Sequence, residues 1–381
     1  MPHFSTKEYS RRVDEVRKQM RADDLDAMLL FAPESHYWLT GYDTFGFCFF
    51  QCMVVTAKGE IILLTRSADL RQAQHTSIVK DIRIWKDAQD ANPANDLAGL
   101  ISDIGLGASA RLGVEFDTQG LTAKNWRLVE AALEGEVIDA STLIPNLRLI
   151  KSDEEIAYVR KAAELSDLAL DAAAETIAPG KSDAEVLAVM QGVILASGGD
   201  YAGNEFICGS GEGALLCRYF SGRREMSEND QLTLEWSGTW RRYHAPMMNT
   251  LILGKPKAEH EGMREAAKEA LLACEAALKP GNAMGDVFNE HVRILDKKGY
   301  RQHRLNACGY SVGARFTPCW MDSQMFFEAA ATEIRPNMVF FLHMILMDSE
   351  TGTAQCLGRT SLVTKTGSEP LSRATLDMIV R

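Results

Sequence analysis

Apolar and polar positions alternate differently in the first and last parts of this chain. Residues 6–21 carry apolar side chains among charges at near-helical spacing. The run Ala27-Met28-Leu29-Leu30-Phe31-Ala32 behind them is short, continuous and apolar, the pattern of a buried strand. Residues 47–56, a Lys58-Gly59 turn and residues 60–65 predict a hairpin, and 82–85, 112–116 and 137–138 predict further short strands. Helical stretches near 68–75, 94–104 and 122–133 fall between them. Residues 1–148 therefore form an α/β domain with helices on a central sheet. No glycine-rich phosphate loop follows any of these strands.

A second domain, 149–381, opens where Ser152 and Glu155 make a capping box that starts a long helix reaching about residue 175. Comparing this part with itself shows a duplication. Pro179-Gly180, Val186 and Gly198 recur as Pro280-Gly281, Val287 and Gly299, each displaced by 101 residues. Leu170, Ala172 and Ile177 pair with Leu271, Ala273 and Leu278 at the same offset. Each copy holds two helices around a Pro-Gly break and continues into strands, at 232–236 and 249–253 in the first and 339–343 and 359–363 in the second. Such a duplicated helix-helix-strand-strand unit predicts a pseudosymmetric α+β domain. Its helices cover one sheet face, and the other, concave face is left for a small molecule.

Charge narrows the partners. With 41 Lys and Arg against 52 Asp and Glu, the net charge of −11 disfavours phosphate backbones and anionic lipid, so neither nucleic acid nor a membrane is an expected partner. No window approaches the 18 or so apolar residues of a membrane span, and the opening thirty residues lack the apolar core of a secretory signal. Eight cysteines scattered without a CxxC pair fit buried thiols, and the expected location is cytoplasmic.

The segment Tyr37-Trp38-Leu39-Thr40-Gly41 resembles the YLTG motif in the N-domain of creatinases and Xaa-Pro peptidases, and the duplicated domain is similar to their pita-bread catalytic domain. Leu234-Glu235, Tyr243-His244, Asn249-Thr250, Gly309-Tyr310-Ser311-Val312-Gly313, Pro336-Asn337-Met338 and Ser361-Leu362-Val363-Thr364 carry the likeness through the chain. The peptidase branch of that family holds two metal ions on two Asp, one His and two Glu. Those places fall here on Glu235, Pro246, Tyr310, His343 or its neighbour, and Gly358. Two dications and a bridging water need about five oxygen or nitrogen donors, and proline and glycine side chains supply none, so neither metal nor cofactor is expected.

What remains resembles the metal-free branch containing creatinase and ectoine hydrolase, which hydrolyse C–N bonds of small amidine-like or cyclic compounds as homodimers. The stretch Arg315-Phe316-Thr317-Pro318-Cys319-Trp320 is closer to ectoine hydrolase. The creatinase acid/base histidine falls on Arg218, and an arginine stays protonated, so the creatinase route is disfavoured.

Hydrolysis without metal needs a base for water, donors for the developing anion and an acid for the leaving nitrogen. Glu235, between apolar neighbours, is the candidate base or the anchor of a cationic substrate; its bland alternative is an ion pair with Arg242 or Arg359. His343, in the most apolar stretch of the second domain, is the candidate acid, with His244 as substitute, unless either is a neutral core histidine. Tyr310 is a candidate oxyanion donor or a core tyrosine. Arg218 either clamps a substrate carboxylate or pairs with Glu212 or Glu225. Arg359 stands next to the lost ligand position and could replace the missing cations. Tyr219, Tyr243, Arg315 and Trp320 complete the expected substrate contacts.

Glu235, His244 and His343 also match a two-histidine, one-carboxylate metal set in type but not in spacing. Strand alternation puts Phe45, Phe47 and Phe49 on one face, and the resemblance has such a face cover a partner subunit's pocket; an ordinary two-sided strand is the alternative. A proline-specific metallodipeptidase and a non-catalytic binding module remain the rival functions.

Overall fold

In the computed structural model, which describes residues 2–381, Ser5 caps α1 (Thr6–Ala22), and the chain then enters the central strand β1 (Ala27–Leu30). There follow α2 (Pro33–Thr40), β2 (Cys52–Thr56), β3 (Ile61–Arg66), α3 (Leu70–Thr76), β4 (Asp81–Trp85), α4 (Pro93–Asp103), β5 (Arg111–Val114), α5 (Ala123–Ala132), β6 (Glu136–Asp139) and α6 (Leu143–Leu149). The six strands lie in the order β4-β3-β2-β1-β5-β6, with β1 antiparallel to β2 and parallel to β5. The continuous apolar run of β1 is explained by its two covered faces. Ala27 and Leu29 enter one core with Val54 and Leu112, while Met28 and Leu30 enter the other with Met53 and Val55.

The resemblance motif 37–41 ends a buried helix, α2, stopped by Gly41 at φ +83°, where a Cβ would fall 2.5 Å from the Tyr9 hydroxyl. One local expectation fails in this unit. The hairpin strand expected from residue 47 begins only at Cys52. Residues Gly46–Cys48 turn into a 3₁₀ helix instead, because Thr44 Oγ1 accepts from the Gly46 N–H while donating to Asp69. A Cβ on Gly46 would strike that carboxylate at 2.4 Å. Strand alternation therefore does not govern the phenylalanines: Phe45 and Phe49 are exposed, and Phe47 and Phe50 are buried.

A first compact unit ends at Arg148 and a second spans Leu149–Arg381. The second contains α7 (Asp153–Thr176), α8 (Asp183–Ala196), β7 (Ile207–Ser210), β8 (Asp230–Trp240), β9 (Tyr243–Leu253), α9 (Ala258–Ala277), α10 (Met284–Lys297), β10 (Gly309–Ser311), β11 (Val339–Asp348), β12 (Thr353–Val363) and β13 (Ser368–Pro370). The capping box of Ser152 and Glu155 starts α7. The duplication is explicit: α7 and α9 end, and α8 and α10 begin and end, 101 residues apart. Its landmarks are backbone requirements, since Gly180 and Gly281, and Gly198 and Gly299, all adopt positive φ.

The sheet runs β10-β11-β12-β9-β8-β7, so each copy supplies three adjacent strands, and β13 pairs with β12. The two copies join between β9 and β12 over just two register pairs, Leu357 with Asn249 and Gly358 with Met248. One sheet face packs on the helices. Leu342, Met344 and Phe340 meet Ala267, Ala270, Leu271 and Cys274 of α9 in one core, and Trp236 Nε1 donates to the Ser166 carbonyl of α7. Among the described residues no helix is long and apolar enough to cross a membrane.

Candidate active site on the concave face

Strand register decides which side chains share the opposite face. Glu235 pairs with Met248, Met248 with Gly358, and Gly358 with His343, so one transverse row crosses β8, β9, β12 and β11. Directly opposed residues in antiparallel strands point to the same side. The period of two adds Pro246, Cys356 and Phe341 to that face, and Tyr310 joins it by pairing with Phe341. The five positions that the resemblance assigns to metal ligands thus lie on one surface.

That surface is strongly curved. Strands β10 and β8 are four steps apart, roughly 19 Å in a flat sheet, more than tyrosine and glutamate side chains can span end to end. Yet Tyr310 Oη donates to Glu235 Oε1 at 3.2 Å. In turn Trp320 Nε1 donates to Tyr310 Oη at 2.8 Å, and the His343 ring lies 5.8 Å from the Tyr310 ring. Glu235, Tyr310, Trp320 and His343 are all buried.

Burial pushes the Glu235 carboxyl up to about 7, against the opposing pull of the Tyr310 hydrogen bond and the Arg218 charge. Burial likewise raises the Tyr310 phenol, which keeps its proton, and holds His343 down at about 3, so this imidazole is neutral at ordinary pH. His343 Nδ1 is buried without a hydrogen-bond partner, which leaves it available to a ligand on this face. Arg218 is exposed, its charge acts on both Glu235 and His343, and its only hydrogen bond is to the Cys217 carbonyl. Neither the Glu212 nor the Glu225 ion pair forms. Tyr219, beside it, is half exposed under the Arg223 guanidinium.

Other expected site residues are turned elsewhere. Arg359 follows Gly358 and therefore faces the helices, where Nε and Nη2 bind both Glu275 oxygens at 2.8 Å. It cannot replace cations on the concave face or pair with Glu235. Tyr243 also faces the helices, donating to Glu155 at 2.7 Å. Arg242 lies over the Phe316 ring rather than against Glu235. His244 is on the concave side, but both ring nitrogens are committed: Nε2 accepts from the Gly203 N–H at 2.8 Å, and Nδ1 lies 3.3 Å from the Gly313 carbonyl. Burial holds it down at about 3, so it is a neutral loop clamp rather than an acid. Arg315 binds the Cys319 carbonyl and lies 3.8 Å from Asp322, within its own loop.

The donor set does not fit a pair of dications. The five positions offer one carboxylate, one phenol and one imidazole, and among the described residues no cluster of three or more His, Cys, Asp or Glu could hold a metal ion. At Gly358 a Cβ would fall 3.0 Å from both His343 Cβ and Phe341 Cε2. The Leu342 carbonyl, at 2.7 Å, is nearer still, so backbone and side chains together leave no room for a ligand side chain there.

Residues 157–365 match metallopeptidase family M24, and residues 12–150 match the creatinase/prolidase N-terminal domain. The chain is 29% identical to an uncharacterized hydrolase/peptidase of Sinorhizobium fredii, over 100% of this chain and 99% of that one. It is 26% identical to the ectoine hydrolase of Halomonas elongata, over 97% and 96%. Among solved structures it is similar to a prolidase from Thermococcus sibiricus, with a TM-score of 0.89 at 18% identity over 99% of this chain and 100% of that chain. A Xaa-Pro dipeptidase from Bacillus anthracis gives 0.86 at 19%, over 98% and 100%.

Proposed function

We propose that this chain, which belongs to metallopeptidase family M24, hydrolyses a C–N bond in a small amidine-like or amino-acid-derived compound without using a metal. One observation carries the reading: a buried carboxylate poised near neutral pH, Glu235, is held by Tyr310 where the peptidase branch would need a metal ligand. Likeness to an ectoine hydrolase along nearly the whole chain supports it.

Glu235 takes a proton from water as the oxygen attacks the scissile carbon. The same carboxyl, now protonated, returns that proton to the leaving nitrogen as the C–N bond breaks. This modifies the expectation that His343 is the acid. A neutral imidazole with a free Nδ1 serves better to hold the substrate or the water. Arg218, without an acidic partner, binds a substrate carboxylate at the rim. We further infer a cytoplasmic homodimer, to which the 69%-exposed Phe45 ring would contribute.

The test is turnover of a panel containing ectoine, other cyclic amidines, N-acyl amino acids and Xaa-Pro dipeptides, with chelator and with added manganese or zinc, alongside metal analysis of the protein. Chelator-resistant cleavage of an amidine or N-acyl compound is expected. Dipeptide cleavage lost to chelator and restored by metal would replace this reading with a metallopeptidase. Binding without turnover across the panel would replace it with a binding module.

A further inference from the structure

We propose that Tyr310 is a donor with two stations, aimed by Trp320. It holds Glu235 while that side chain is ionised, and turns to the reacting substrate oxygen or nitrogen once Glu235 carries the proton taken from water. The inference rests on the hydrolytic reading above and assigns Trp320 as a positioning residue for it.

Hydrogen-bond capacity makes the argument. An indole N–H can only donate, so the 2.8 Å contact commits one Tyr310 oxygen lone pair to Trp320. The phenol retains its own proton and one further lone pair. With Glu235 ionised, the carboxylate can only accept, so the proton of Tyr310 must lie along the 3.2 Å contact to Oε1. With Glu235 protonated, its O–H can donate to the remaining lone pair, and the Tyr310 proton is released to another acceptor. The rings of Phe341 and His343, centred 5.3 and 5.8 Å away, flank the phenol.

Trp320 is fixed from outside the site. It is 1% exposed, its main-chain N–H donates to Asn204 Oδ1 at 3.1 Å, and its ring lies 6.4 Å from that of Phe206. Its anchor does not change as the proton moves. The groups that act on Glu235 are Tyr310 from β10, Arg218 and Cys217 from the segment after β7, and Cys356 from β12, with neutral His343 of β11 beside Tyr310. Burial raises both thiols, which therefore stay uncharged, and Arg218 stays cationic. Glu235 is thus the member of this group that changes charge near neutrality.

The proton count closes. An O–H bond of water breaks and its proton goes to Glu235. The water oxygen bonds to carbon, and the displaced π pair settles on the substrate heteroatom, which Tyr310 now serves. As that pair returns, the C–N bond breaks, the Glu235 proton passes to nitrogen, and Tyr310 swings back.

Infrared titration of the protonated-carboxyl band in the full-length protein, without substrate, reads the first station independently of turnover. Burial raises both Glu235 and Glu115 of the first unit to about 7, so the Glu235 band is read as the parent-minus-E235Q difference, and a component titrating near 7 should be present in that difference. Tyr310→Phe keeps the ring but removes the donor, and should raise the midpoint by about one to two pH units. Trp320→Phe should raise it in the same direction by less, because the hydroxyl is no longer aimed. The second station is read on whichever panel compound is turned over: Tyr310→Phe should lower kcat roughly 100-fold with little change in KM.

An unmoved midpoint in both variants overturns the aiming role and leaves the hydrolytic reading standing. A shifted midpoint with undiminished kcat in Tyr310→Phe overturns the second station. If no compound is turned over while the midpoints shift as stated, the hydrolytic reading fails and the second station falls with it, whereas the resting hydrogen-bond chain is upheld.

Discussion

Replacing Glu235 by glutamine should abolish turnover and yet stabilise the protein, by an amount that depends on pH. Burial lifts the Glu235 carboxyl from 4.5 to about 7. Below pH 4.5 both folded and unfolded chains hold the proton, and the group costs nothing. Between 4.5 and 7 the unfolded chain releases it while the folded chain does not, so stability declines as pH rises. Above 7 the loss is complete. A gap of about 2.5 pH units at about 1.36 kcal/mol each comes to on the order of 3 kcal/mol.

Glutamine is neutral at every pH and still offers an oxygen to Tyr310 Oη. The variant should therefore match the parent near pH 4.5 and exceed it by up to about 3 kcal/mol at pH 8, about 6–12 °C in melting temperature for a unit of this size. Urea and thermal midpoints of both proteins at the two pH values measure this, read as the difference between parent and variant because tryptophans lie in both units. A variant equally or less stable than the parent at pH 8 would refute the claim that Glu235 is held in a desolvated place.

Further outcomes follow from neighbouring geometry. Arg359→Met should cost about 3–5 kcal/mol by stranding buried Glu275, while kcat per folded molecule stays unchanged; joining it to Glu275→Leu should recover much of the loss in urea midpoints. His244→Leu should cost about 1–3 kcal/mol, because the Gly203 N–H loses its acceptor, as thermal melts would report. Below pH 4.5, where Glu235 no longer contributes, the parent's stability should fall toward pH 3, because the unfolded chain carries protons on histidines that the fold keeps neutral, a decline measurable in acid titrations of the melting temperature. Gly358→Ala should destabilise by about 1–3 kcal/mol, since its Cβ would meet the Leu342 carbonyl at 2.7 Å and crowd His343 and Phe341.

The duplication was legible in sequence because its landmarks, Gly180 with Gly281 and Gly198 with Gly299, are positions where the backbone needs positive φ and tolerates little else. The strands proved longer than their apolar runs. In β8 the continuation Ser237-Gly238-Thr239 is buried yet polar or small, so hydrophobicity alone could not extend the strand. Glu235 and His343 stood out as polar residues inside apolar strands, and the fold brings them to one face.

Arg359 and Tyr243 leave the concave face by the alternation of their own strands. Each is the immediate neighbour of a concave-face residue, Gly358 or His244, and a period of two sends it to the helices. The aromatic run 45–50 failed differently, through a side-chain turn on Asp69 twenty-five residues away from Thr44. Tyr310, Trp320 and Glu235 were legible singly as site candidates, but the hydrogen-bond chain from Trp320 through Tyr310 to Glu235 was not, since it depends on how far the sheet curls.

The narrow join between β9 and β12 has a mechanical meaning. The short ladder of Asn249, Leu357, Met248 and Gly358 is reinforced by side chains that cross the seam: Thr250 Oγ1 accepts from the Cys356 N–H, Thr360 Oγ1 donates to the Pro246 carbonyl, and Arg264 of α9 donates to Asn249. Glu235 belongs to one half and His343 to the other. The gap between carboxyl and imidazole is therefore set where the two repeats meet, by the seam's pairing and the side chains that bridge it, and not inside either repeat alone.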